Sequence, residues 1–255
     1  MDGRFRWLVF VVCLGITASA PSAVSQPVVD HALWDQLLKR HVKQGRVDYQ
    51  GFQADREALE RYLALVKLVD PNGLHSVRTQ LVFWINVYNA CVVKGVLDHA
   101  PLRSVKDVRG FFDQFKYEVA GESLTLNEIE RKGRACGDFR IHFALVCASS
   151  SCPPLRSEAY APERVDAQLD EQGRLFLRDP IRGARLEGHT VWLSQIFKWY
   201  KRDFANSKLS AALISDEKIL SAIEPYLDAP LQAAIHGKPL LIRFMDYDWS
   251  LNRIR

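Results

Sequence analysis

Near the start of the chain, Leu33, Trp34, Leu37, Leu38 and Val42 recur at helical spacing and predict a helix over residues 28–44 that Gly45 ends. Residues 54–69 repeat the period through Leu59, Tyr62, Leu63, Leu65 and Val66, and Asp70-Pro71-Asn72-Gly73 is a turn that stops it. From about Arg78 to Asp98 the pattern changes. Leu81 to Val93 is apolar nearly all round, broken only by Asn86 and Asn89, which predicts a central helix surrounded by protein.

The middle of the chain reads as mixed α and β. Phe115 to Val119 and the segment after Gly121-Glu122 predict a hairpin, and Thr125-Leu126-Asn127-Glu128 is a capping box opening a short helix. Arg140 to Cys147 is β-rich and predicts a strand running into the polar loop Ser149-Ser150-Ser151-Cys152-Pro153-Pro154. Helical periodicity resumes from Pro162 to Phe176. Gly183 to Leu193 predicts a second hairpin turning near Glu187-Gly188, and Ser194 caps a helix through Tyr200. Residues 216–227 and 231–236 read as helices and 240–247 as a closing strand. The expected fold is α+β, a helix-rich N-terminal half packed on a small mixed or antiparallel sheet.

The first residues stand apart from this pattern. Arg4 and Arg6 precede an apolar run from Trp7 to Ile16 and the small residues Thr17 to Ala20, the organisation of a signal peptide over residues 1–25, with cleavage expected after Ser25. The run is too short to span a bilayer, which takes roughly 20 residues, and no later uncharged apolar stretch is long enough. Phe10-Val11-Val12 before Cys13 is not a lipobox. Residues 26–255 are therefore expected to be one globular domain, periplasmic or secreted, without a membrane span.

Charge adds an exclusion. The 255 residues carry 34 Lys and Arg against 30 Asp and Glu, and the formal charge falls from +4 to +3 once Asp2, Arg4 and Arg6 are removed. Basic residues are interspersed with acids, as in Lys198 to Asp203, and form no one-sided block for a phosphate backbone, so nucleic acid is not an expected partner.

Four cysteines remain after residue 25: Cys91, Cys136, Cys147 and Cys152. In an oxidising compartment they allow three complete disulfide pairings, Cys147–Cys152 being one pair among them. Cys147-x4-Cys152 has no second Cys or His pair at zinc spacing, so neither a metal nor another cofactor is expected.

Three blocks resemble one family. Phe83-Trp84-Ile85-Asn86-Val87-Tyr88-Asn89, Leu124 to Glu130, and Ile141 to Leu155 are similar to the blocks of the domain of unknown function 547 family, in an exported bacterial branch. Further matches at Ile196 to Tyr200 with Asp203-Phe204, and at Tyr247 to Asn252, extend the likeness over roughly residues 75–252. The resemblance implies no activity, but it implies Cys147 rather than Cys152 as the reactive thiol.

Chemistry then rests on residue types. Cys147, His142 five residues earlier and Glu130 on the preceding helix are the parts of a thiol-dependent hydrolase or acyltransferase acting on an envelope amide or ester. Cys147 would be the nucleophile, His142 would move its proton, and Glu130 or Asn86 would orient the ring, with loop amides from Ala148 to Ser150 as oxyanion donors. On a strand, positions five apart face opposite sides across roughly 16 Å, which argues against the pair. A Cys147–Cys152 disulfide would instead staple the loop of a non-catalytic binding or scaffold module for an envelope peptide or small molecule, with Asn86, Asn89 and Ser149 as candidate binding residues. A dithiol redox pair departs from Cys-x-x-Cys spacing. Cys91 on an apolar helix face reads as core, and Asn86 and Asn89, three apart on one helix face, read as tethers for a neighbouring loop or as ligand contacts.

Overall fold

The computed structural model describes residues 29–237 and 239–254. The signal peptide, its cleavage after Ser25 and Cys13 lie outside the described residues.

Helix α1 (Ala32–His41) buries Trp34, Leu37 and Leu38. It stops short of Gln44 because the chain reverses there. Gln44 and Gly45 both take positive φ (51° and 75°) to join β1 (Val42–Lys43) to β2 (Arg46–Val47). A side chain at Gly45 would collide with Pro154, so glycine is required by conformation and by space. The second expected helix is α3 (Arg56–Lys67), and an additional short helix precedes it, α2 (Tyr49–Ala54), where the Asp48 carboxylate accepts from Gly51 N at 2.9 Å. Asp55 separates them and pairs with His41 at 2.8 Å.

Helix α4 (Val77–Asp98) starts at Ser76, whose hydroxyl accepts from Thr79 N at 3.0 Å. Every residue from Leu81 to Val93 is buried, as the all-round apolar pattern predicts. It is the one helix among the described residues long and apolar enough to cross a membrane, and its place is the protein core.

The hairpin of β3 (Lys116–Val119) and β4 (Glu122–Thr125) leads into α5 (Leu126–Arg134), which packs along α4. The capping box forms as expected: Glu128 N donates to Thr125 Oγ1 at 3.3 Å and Thr125 N donates to Glu128 Oε2 at 2.8 Å. Thr125→Ala should lower the unfolding free energy by about 1 kcal/mol, and Thr125→Ser should retain most of it. Urea unfolding measures this. An alanine variant as stable as the parent would mean that the cap is redundant.

The strand expected at Arg140–Cys147 is not formed. Residues Phe139–Phe143 make a 3₁₀ turn, started by the Asp138 carboxylate accepting from Arg140 N at 2.9 Å. The Arg140 guanidinium is clamped by Asp138 and Asp166, both at 2.7 Å, and by Asp170 at 2.9 Å. Beyond the turn, one buried side chain replaces a β-ladder. Asn89 Oδ1 accepts from Val146 N at 2.9 Å and its Nδ2 donates to Ala144 O at 3.0 Å. The backbone polar groups are satisfied without a neighbouring strand, which removes the need for one.

A second apolar core lies beyond this segment, where Phe143, Phe176, Phe197 and Phe204 interlock. It is covered by α6 (Val165–Leu177), α7 (Gln195–Trp199), α8 (Lys201–Phe204), α9 (Asp216–Ile223) and α10 (Ala229–Ile235). Strands β5 (Ala184–Glu187), β6 (Thr190–Leu193) and β7 (Leu241–Phe244) form a mixed sheet in that order, with β6 and β7 parallel. The fold is α+β, and its strands among the described residues are divided into three small sheets. After β7 an extended strap returns to the first core, with Ser250 bridging Ser104, Leu251 bridging Ser149 and Arg253 bridging Val47. This strap brings Tyr247 and Trp249 over the middle of the molecule.

Candidate functional site

A cavity of about 140 Å³ opens where the two cores meet. Glu130 from α5, His142 from the 3₁₀ turn and Cys147 all line it. Because residues 144–147 leave the turn as irregular chain, the facing rule for a strand does not apply, and the thiol, imidazole and carboxylate positions come to one cavity. Tyr88, Tyr200 and Tyr247 contribute further walls, with Trp199 and Trp249 at the side where Trp199 is 47% exposed.

Cys147 and Cys152 are joined by a disulfide, with Cα atoms 6.3 Å apart. Both line the cavity. Cys147 N donates to Cys152 Sγ at 2.9 Å, and Tyr247 OH donates to the same sulfur at 3.2 Å. Ser149 is fully buried and donates to the Tyr247 oxygen at 3.0 Å. Cys91 is buried in the first core, where burial raises its thiol pKa, and Cys136 is a half-buried free thiol.

His142 does not meet Glu130 or Asn86. Its Nε2 lies 2.8 Å from Asp203 Oδ2, and its ring stacks on Tyr200 at 4.0 Å between centroids. Arg134 holds the same carboxylate through two bonds of 2.7 and 3.1 Å. Burial lowers the His142 pKa below its ordinary value against the pull of Asp203, which favours the neutral ring with its Nε2–H directed at the carboxylate. Burial works to raise Asp203, but the hydrogen bonds from His142 and Arg134 outweigh it and hold the carboxyl well below the usual range. Glu130 accepts from Tyr200 OH at 3.1 Å and lies 3.6 Å from Arg134. Its pKa is raised by burial, the side chain being only 14% exposed.

Asn86 and Asn89 are tethers. Asn86 Nδ2 donates to Tyr160 O at 2.9 Å and its Oδ1 accepts from Tyr160 N at 3.0 Å, as Asn89 does with Ala144 and Val146. Neither amide forms a cavity wall. Among the described residues no three His, Cys, Asp or Glu side chains converge in a way that could hold a metal ion.

Asp203, Tyr200, Tyr247, Trp199 and Trp249 were not singled out as site residues by sequence reasoning. Their signal was the aromatic and acidic runs Ile196 to Phe204 and Tyr247 to Asn252, which read as secondary structure and family likeness and not as a site. Trp199, Tyr247 and Trp249 pack with centroids 4.7–5.8 Å apart, and Lys106 Nζ stands 4.2 Å over Trp249.

The molecule is thus an α+β protein with a disulfide set in the wall of an aromatic cavity beside a buried His–Asp–Arg group. Residues 73–177 match the family described as protein of unknown function, DUF547. The matched span holds Asn86, Asn89, Glu130, His142, Cys147 and Cys152, whereas Asp203, Tyr247 and Trp249 lie beyond it. No match was found among the curated proteins or among the solved structures.

Proposed function

We propose that this chain is an exported, non-catalytic binding module that seats one small group of an envelope peptide or small molecule in the aromatic cavity. The observation that carries it is the Cys147–Cys152 bond: the candidate nucleophile is spent in a disulfide while the cavity it lines stays open. About 140 Å³ is close to the size of engineered cavities that take a single aromatic ring. Ring faces from Tyr88, Tyr200 and Tyr247 supply contact area, and the Glu130 carboxyl and the phenols supply a few orienting polar groups, as small-ligand sites require.

A thiol-dependent hydrolase or acyltransferase is favoured by a different observation, that Cys147, His142 and Glu130 share one cavity. It needs the disulfide reduced, and His142 already commits Nε2 to Asp203.

Titrating phenol, n-butylamine and n-butanol while following tryptophan fluorescence and NMR shifts separates the two. A binding module gives saturable binding at about 1 mM, the scale for ligands of so few atoms. Trp199→Ala should weaken it about fivefold by removing one wall, and a double Cys147→Ser, Cys152→Ser variant should retain it. Absence of saturable binding, with ester hydrolysis by reduced protein that Cys147→Ser abolishes, would replace this function by the enzymatic one.

A further inference from the structure

A disulfide carries no charge and gains little from hydrogen-bond donors, whereas a thiolate is stabilised by each donor directed at it. Donors here are distributed unequally. Cys152 Sγ, on a residue 3% exposed, receives the Cys147 amide at 2.9 Å and the Tyr247 phenol at 3.2 Å. The Ser149 hydroxyl donates to the phenol oxygen, which polarises the phenol toward that sulfur. Cys147 Sγ lies 3.2 and 3.3 Å from the same two hydroxyl oxygens but has no backbone amide directed at it among the described residues, and its residue is the more exposed of the pair. Cys147 is thus the more accessible of the two from the cavity, and Cys152 Sγ sits where a negative charge would be held.

We propose that Cys147–Cys152 is an exchange-active disulfide that accepts a small thiol at Cys147, with Cys152 as the leaving thiolate. The incoming thiolate R–S⁻ attacks Cys147 Sγ. A bond forms between the R sulfur and Cys147, the Cys147–Cys152 bond breaks, and its electron pair leaves on Cys152 Sγ, between the amide and the phenol. A second thiol attacks the R sulfur and releases R–S–S–R, and the pair formed by Cys147 and Cys152 takes up the two protons. Two small thiols are oxidised to one disulfide, and the protein disulfide is reduced to two thiols. Leaving-group stability speeds exchange, so the donors on Cys152 set both the direction of attack and its rate. The cavity, at about 140 Å³, selects a thiol of side-chain size, such as cysteamine, over a bulky one.

The oxidised full chain is incubated with cysteamine or glutathione under native conditions, quenched with acid and mapped by mass spectrometry after alkylation. Reduction should be several-fold faster with cysteamine than with glutathione, and far faster than global unfolding. With cystamine, the Cys152→Ser variant should form its adduct on Cys147 at least about tenfold faster than the Cys147→Ser variant forms one on Cys152. Tyr247→Phe should slow reduction of the disulfide by about tenfold, and Ser149→Ala by less. Reduction only at the rate of unfolding, or faster adduct formation on Cys152, overturns the proposal. Should Tyr247→Phe fail to fold, the comparison of the two serine variants decides alone. Failure of the binding function would show separately, as absent fragment binding by the oxidised chain.

Discussion

Asn89→Leu is expected to lower the unfolding free energy by about 4 kcal/mol, because it strands two buried backbone groups at once, each costing about 1–3 kcal/mol when left unpaired. Asn89 Oδ1 accepts from Val146 N and its Nδ2 donates to Ala144 O, and Asn89, Ala144 and Val146 are all buried. Leucine fills nearly the same volume, so the loss comes from the hydrogen bonds and not from an empty cavity. The damage should also spread to function. Residues 144–147 place the Cys147–Cys152 disulfide in the cavity wall, and the Asn89 amide is what ties that stretch to α4. Urea unfolding gives the stability change, and the fragment titration gives the functional one. Asn86→Leu, which strands Tyr160 N and O, should cost a similar amount while leaving the disulfide wall in place. A loss below about 1 kcal/mol for Asn89→Leu would mean that water or a shifted backbone satisfies Ala144 and Val146, and that the tether is not what shapes the site.

The same residues explain what the sequence could and could not reveal. The helix at Val77–Asp98 was legible because an apolar pattern all round has one meaning, and the Thr125–Glu128 cap was legible because both partners sit within one turn. Both are local statements. The segment Ile141 to Val146 carries the composition of a buried strand, and composition reports burial correctly. What prevents a ladder is distant: Asn89 lies 57 residues before Val146, and Asp166 and Asp170 reach back to Arg140 from a later helix. Candidate site residues divide along the same line. Cys147, His142 and Glu130 were found by residue type, and the structure brings them to one cavity. Asp203 lies 61 residues from His142, and the Tyr247 phenol 95 residues from Cys152, so neither spacing nor periodicity could pair them.

Acid should destabilise the protein in two steps, and Asp203→Ala should remove one of them. His142 has its folded pKa depressed below the ordinary 6.5 by burial, so the unfolded chain takes up its proton first. Its contribution is complete above about pH 6.5 and is lost as pH falls from there toward the folded value. Asp203 is held well below its ordinary 3.8, so its contribution is present above that value and is lost on further acidification. Both changes have the same sign: stability declines from neutrality downward and does not recover. In Asp203→Ala the lower step vanishes, and the Arg134 guanidinium and His142 Nε2–H lose their acceptor, at a cost of about 2–4 kcal/mol near neutral pH. The figure lies at the low end for a broken buried pair because Arg134 is a third exposed and water can rescue it. The upper step should deepen. Asp203 is the group that raises the imidazole pKa against burial, so without it His142 resists protonation to lower pH and the window of proton uptake on unfolding widens. Asp203→Asn keeps an acceptor for His142 and should recover most of the neutral-pH stability without restoring the acid step. Urea midpoints taken from about pH 8 to about pH 2 on the parent and both variants measure all three effects. A parent midpoint that does not change between pH 7 and pH 5 would place the His142 proton in the folded state. The imidazole that shares the cavity with Cys147 would then be a cation, and its charge would favour a thiolate there once the disulfide is opened.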